Sequence, residues 1–158
     1  MPMIDTGVPF TVTFNNIQIT TAATVIAQVT TVTCPILLQR IVLTSNATAS
    51  QTQYLELAYM SAAASGGTSL TPYSTSAGAG TAGSTNTALS TWLGVTTTLG
   101  TVGKVYDGQW WNNFAPYEFN EKPSGLLIPP STSVALTCLA APAASFYSSL
   151  TAEFVELR

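Results

Sequence analysis

Histidine is absent from this chain of 158 residues. Its absence removes the usual general base, every Ser-His-Asp arrangement and every zinc site that needs an imidazole. Charge is almost as scarce: Asp, Glu, Lys and Arg make up 7% of the residues, against about 25% in an ordinary soluble domain. The four cations, Arg40, Lys104, Lys122 and Arg158, are scattered. Neutralising a run of phosphates takes a cluster of cations, so nucleic acid is excluded as a partner. No apolar run approaches the roughly 20 residues of a membrane-spanning helix; Ile41-Val42-Leu43 and Gly125-Leu126-Leu127-Ile128 are representative. The opening Met1-Pro2-Met3-Ile4-Asp5 has no basic stretch of the signal-peptide kind, so synthesis in a cytosol and no membrane partner are expected. Only two cysteines occur, Cys34 and Cys138, and in that compartment buried free thiols are expected.

What the chain has in abundance is Thr, Ser and Ala, 61 residues together, within a hydrophobic content of 46%. That content is too high for general disorder, and the length suits one domain with a proper core. The dominant pattern has a period of two. Val8, Phe10, Val12 and Phe14 alternate with Pro9, Thr11 and Thr13, which predicts a half-buried strand. The same reading places Ala23, Val25, Ala27 and Val29 on one face of a second strand. Ile36 to Thr44 is nearly all apolar, as in a strand covered on both sides. Gln53, Leu55, Leu57 and Tyr59 share one face of the next, with Tyr54, Glu56, Ala58 and Met60 on the other. Further strands are expected at Leu89–Leu99, Lys104–Tyr106, Gln109–Asn120, Ser133–Leu139 and Ser145–Leu157, with a tight corner at Pro123–Pro130. No segment carries an apolar stripe at helical spacing. The expected fold is an all-β, single-domain sandwich of about eight antiparallel strands, with a jelly roll as the leading topology. Residues 1–7 form an N-terminal arm and 8–158 the sandwich.

From Ser61 to Ala88 the sequence is Ser, Ala, Thr and Gly apart from Asn86, with Leu70, Pro72 and Tyr73 the only bulkier groups. It reads as a long loop. Gly78-Ala79-Gly80-Thr81-Ala82-Gly83 matches G-x-G-x-x-G, but neither the strand before it nor the helix after it that a dinucleotide site needs is present. No cofactor is expected. The seven carboxylates offer no convincing acid–base pair: Glu118 and Glu121 sit beside Lys122 at a strand end, and Glu153 and Glu156 have opposite parity. The chain is read as a non-enzyme.

The aromatic run is the strongest functional signal. Neighbours on a strand face opposite sides, so Trp110 and Trp111 cannot both enter one core. Trp111 aligns with Asn113, Ala115, Tyr117 and Phe119, the more apolar set, and is assigned to the core. Trp110 is then exposed, with the character of a protein interface or a sugar-stacking platform. Pro116 marks a point where that parity can reverse. A surface of Thr, Ser, Ala and Asn is also cheap to desolvate, which suits a protein working inside an assembly.

Several features together resemble the small decoration, or cement, proteins of phage capsids. They are the short arm, Gln39-Arg40-Ile41-Val42-Leu43-Thr44-Ser45, Tyr54-Leu55-Glu56-Leu57-Ala58-Tyr59 before a loop with Gly67-Thr68-Ser69-Leu70-Thr71-Pro72, then Leu126-Leu127-Ile128-Pro129-Pro130, and a last strand ending Glu153-Phe154-Val155-Glu156-Leu157. The resemblance implies a β-sandwich on the outer virion surface, bound to the major capsid protein and to itself as a homotrimer. Met3, Ile4, Leu70, Tyr73 and Trp110 are the interface candidates. A receptor- or carbohydrate-binding module of a phage fibre or tail is the alternative, supported by Trp92, Trp110 and Trp111.

Overall fold

The computed structural model describes residues 7–20, 24–32, 34–70, 72–75, 90–94, 100–138 and 140–157. Two six-stranded antiparallel sheets pack face to face, with no helix among the described residues. The strands are β1 (Val8–Ile19), β2 (Thr24–Thr31), β3 (Ile36–Ser45), β4 (Thr52–Ala62), β5 (Thr68–Leu70), β6 (Tyr73–Ser74), β7 (Ser90–Gly94), β8 (Thr101–Asn112), β9 (Tyr117–Asn120), β10 (Leu126–Ile128), β11 (Ser133–Cys138) and β12 (Phe146–Glu156). The first sheet runs β10-β3-β12-β1-β6, with β9 also paired to β3; the second runs β5-β7-β2-β11-β4-β8. The sandwich is therefore as the alternation predicts, but with twelve strands among the described residues rather than about eight. The additions, β5, β6, β9 and β10, are short strands of two to four residues that extend sheets already nucleated by longer neighbours.

The core lies between the sheets. β1 contributes Phe10, Val12 and Phe14, β12 contributes Phe146, Leu150, Ala152 and Phe154, and the facing sheet contributes Leu55, Leu57, Val134 and Leu136. The Phe10 and Phe154 rings stack with centroids 5.6 Å apart. Each fully buried Leu, Val or Phe side chain contributes about 1.5–3 kcal/mol, so strict alternation on the long strands is what holds the sheets together.

Three local departures from strict alternation matter. Between Leu136/Thr137 and their partners Ala27/Val25 the register shifts. This β-bulge turns Ile26 and Ala27 both inward. Val25 is thereby moved to the opposite face from Ala27 and Val29, where it packs with Ala64 and Ala135. The expected sharing of one face by Val25, Ala27 and Val29 is corrected accordingly, and Ala23 lies outside the described residues. Gln28, also buried on that outer face, accepts from the Ala64 N–H at 2.8 Å and donates to the Ala64 carbonyl at 3.2 Å. One amide thus pins the segment after β4 over the sheet.

The second departure is in Gln109–Asn120, which is not one strand. The chain ends β8 at Asn112, turns, and enters the opposite sheet as β9. Trp111, Tyr117 and Phe119 are still all buried, because both inner faces look into the same core.

The third is in the stretch read as a loop from Ser61 to Ala88. β4 continues to Ala62, β5 pairs with β7, and β6 pairs with β1 through Thr11↔Tyr73. Residues 76–89, which include the glycine motif, lie outside the described residues.

Candidate functional site

β8 is the edge strand of its sheet among the described residues. It pairs with β4 in unbroken register from Thr52↔Asn112 to Leu57↔Asp107. Trp111 points inward, 4% exposed, 6.0 Å from the Phe146 ring. Its indole Nε1 donates to the Ala115 carbonyl at 2.6 Å. Trp110 points outward and is 71% exposed. Directly across from it stands Tyr54, the ring centroids 5.3 Å apart and the planes tilted by 57°. A Cβ on Gly108 would collide with the Tyr54 hydroxyl. Glycine therefore lets the Tyr54 ring lie across β8 and prop the indole.

The turn beyond β8 is built by its two asparagines. Asn113 is buried; its amide donates to the Ala49 carbonyl at 3.0 Å and accepts from the Gln51 N–H at 2.9 Å. The Asn112 side-chain oxygen accepts from the Phe114 N–H at 2.9 Å, and its carbonyl accepts from the Ala115 N–H. This turn leaves Phe114, four residues after Trp110, exposed. Tyr54 and Phe114 were not among the residues singled out by sequence. The even spacing 110, 114 on an aromatic run was the available signal.

A second apolar surface lies on the outer face of the other sheet. The register places Leu127 beside Leu37, Leu37 beside Val155, and Val155 beside Pro9. Leu127 is exposed and the other three half-buried. The expectation that β3 is covered on both sides is therefore corrected. Ile36, Leu38, Ile41 and Leu43 face the core, and the other face, with Leu37 and Val42, is half-exposed. Gly7, with φ +75°, leads into β1 directly against Val155 and the Glu156 carbonyl, where any Cβ would clash. Residues 1–6 thus join the sandwich at the end of this apolar row.

Flanking the row is a four-membered ion cluster of zero net charge. Arg40 donates to Glu118 at 2.8 Å and lies 3.5 Å from Glu153, which also pairs with Lys122. The hydrogen bond from Lys122, aided by both cations and opposed by partial burial, holds the Glu153 carboxyl below its ordinary value. These partners are cross-strand rather than sequence neighbours, because β9 and β12 flank β3. Glu156, of opposite parity to Glu153, is buried.

Leu70 packs half-buried against the core and lines a groove of about 510 Å³ with Thr68 and the bulged Asn15-Asn16 of β1. Tyr73 is placed by its backbone pairing to Thr11. Met3 and Ile4 lie outside the described residues, as do the side chains of Tyr73 and Trp92. A further cleft of about 380 Å³ separates the edges of β8 and β9 and carries Asp107, Glu118 and Glu121. Just inside, the buried Tyr117 hydroxyl faces Asp107 and Gln109 without a well-directed hydrogen bond. Burial, then the nearby Asp107 charge, pushes its pKa up. Among the described residues no group of three or more His, Cys, Asp or Glu is placed to hold a metal ion.

Compared with known protein families, with curated proteins and with solved structures, the chain matches none.

Proposed function

We propose that this protein is a structural subunit of a larger assembly and, more specifically, a decoration protein that binds the outer surface of a phage capsid between major capsid protein subunits. The observation that carries this reading is the outward-facing row Leu127–Leu37–Val155–Pro9. Apolar side chains on the solvent face of a sheet, at neighbouring register positions, form a surface suited to burial against another protein. The neutral cluster of Arg40, Glu118, Glu153 and Lys122 supplies a polar rim on one side of it. The N-terminal arm, residues 1–7, carries Met1, Met3 and Ile4 in its sequence, and its last residue, Gly7, lies against Val155. The row is the docking surface for the shell, and deletion of the arm tests whether it engages the same neighbour. Trp110, on the outer face of the opposite sheet, leaves a second surface for contact with a further copy. A subunit with adhesive surfaces on both sheets can bridge neighbours, which is what a cement protein does. The trimer and the jelly-roll connection implied by the resemblance belong to the same proposal.

The test is to locate the protein by electron microscopy in particles purified from cells that produce it. Density for a β-sandwich on the outer shell, with the β3–β12–β1 face against the capsid, is the expected result. Protein that never sediments with particles would overturn the reading.

The alternative is a carbohydrate-binding module. One observation favours it: Tyr54 and Trp110 form an exposed aromatic pair on a cleared glycine floor, the kind of surface on which sugar rings stack. Binding on a glycan array that is lost in Trp110→Ala, with no particle association, would select that reading.

A further inference from the structure

The free side of β8 has a defined hydrogen-bonding pattern. Asn113 N–H donates to the Gln51 carbonyl at 3.0 Å, and the register is regular from there to Leu57↔Asp107. In an antiparallel ladder, pairs that exchange both backbone bonds alternate with pairs that exchange none. Asn113, Trp111, Gln109 and Asp107 therefore turn their backbone groups toward β4. Asn112, Trp110 and Gly108 turn theirs away, and all three are exposed. Among the described residues no strand pairs with this side.

Edge strands are normally protected by charges, prolines or bulges. The first half of β8 has such protection: three register shifts, between Leu57/Ala58, Tyr59/Met60 and Met60/Ala62 on its partner, and Lys104. The run Gly108-Gln109-Trp110-Trp111-Asn112 has none. It is uncharged, free of proline and unbroken in register.

The geometry points to this run as a self-pairing edge: two copies of the chain join β8 to β8 antiparallel, about a two-fold axis through Trp110. The occupant is a second copy because the run is complementary to itself. With Trp110 on the axis, each Trp110 meets the other and exchanges both backbone bonds, and Gly108 of one copy meets Asn112 of the other. No like charges are brought together. On the outer face the side chains line up as Tyr54, Trp110, Trp110 and Tyr54, a continuous aromatic stripe across the joint. Such a contact is isologous and closes as a dimer. A trimer of the kind the resemblance implies uses a different surface, and β8 contacts then join one trimer to the next.

Sedimentation equilibrium of the intact chain, with three variants, tests this. Wild type is expected to dimerise. Trp110→Lys puts like charges face to face at the axis and removes the central aromatic, so dimerisation weakens about thirtyfold or more while the chain stays folded. For the register, Trp110→Cys and, as control, Thr101→Cys are each made in a Cys34→Ser background. Directly opposed residues of a hydrogen-bonded pair have Cα atoms about 5.5 Å apart, within disulfide range. Mild oxidation is expected to cross-link the residue-110 variant into dimers and not the residue-101 variant. The proposal is overturned if wild type stays monomeric at its highest soluble concentration, if Trp110→Lys leaves dimerisation unchanged, or if the two cysteine variants cross-link equally. A β8 dimer that binds no particle refutes only the capsid reading. A monomer that binds particles refutes only this one.

Discussion

Trp110 and Trp111 are adjacent in sequence and sit on opposite faces of β8, one propped on Tyr54 in solvent and the other locked against Phe146 and the Ala115 carbonyl. Their separation assigns two different tasks to one dipeptide. Trp111→Ala removes a buried ring and a hydrogen bond from the core, and is expected to lower folding stability by about 3–5 kcal/mol. Trp110→Ala loses only an exposed aromatic contact and is expected to cost about 1 kcal/mol or less. Urea unfolding of the two variants, measured side by side, checks the difference. Equal losses would mean that the two indoles share one environment.

The ion cluster gives the fold a definite pH dependence. Glu153 is held below its ordinary value of 4.5, first by the hydrogen bond from Lys122. A carboxyl depressed in the folded state binds its proton more readily when unfolded. Its contribution is thus fully present above the ordinary carboxylate value and is lost as pH falls through the folded value. The groups are partly solvated, so the effect is small, about 0.5 kcal/mol. Stability of wild type minus that of Glu153→Gln should be positive at neutral pH and vanish in acid below the folded value. A difference that persists in acid would trace to packing rather than charge.

Much of this architecture was legible because long strands carry their own burial pattern. Phe10, Val12 and Phe14, or Leu150, Ala152 and Phe154, each alternate with polar residues and face the core as alternation requires. What was not legible depends on partners. The bulge that separates Val25 from Ala27 is set by how β11 counts against β2. β5 and β6 are strands only because β7 and β1 pair with them. The apolar outer face of β3 reads locally like a doubly covered strand, yet no second layer covers Leu37 among the described residues. The exposed indole was visible from parity alone, whereas Tyr54 and Gly108, which hold it, become neighbours only through the β4–β8 register.

The cysteines are expected to separate by reactivity. Neither forms a disulfide, and Cys138 is buried while Cys34 is half-exposed. Cys138 donates toward the Ala140 carbonyl at 3.1 Å, and burial pushes its thiol up to about 11. The thiolate is the reactive form. At pH 8 that leaves roughly one part in a thousand ionised, behind a packed core. Iodoacetamide in native conditions should therefore modify Cys34 first, with Cys138 modified only on unfolding. Mass spectrometry of the labelled peptides decides it, and rapid native labelling of Cys138 would contradict the buried placement.

The apolar row makes the sharpest demand on the capsid reading. Leu37, Val155, Pro9 and Leu127 lie on consecutive strands and point away from the core. Replacing Leu37 with Asp on a half-exposed outer position should leave the sandwich folded. Charged residues already stand on that face at Arg40 and Glu153. In a docked complex, however, the same carboxylate is desolvated without a partner, which costs several kcal/mol. Binding to particles is therefore expected to fall by about a hundredfold or more, with the melting temperature within a few degrees of wild type. Deleting Met1 to Asp5 should weaken binding as well, since Gly7, where the arm meets β1, lies against Val155, and the two changes combined should add less than their separate effects, because neighbouring contacts on one surface are coupled. Co-sedimentation with purified particles over a concentration series measures all three variants. If Leu37→Asp and the truncation both retain wild-type occupancy, this face is not the docking surface.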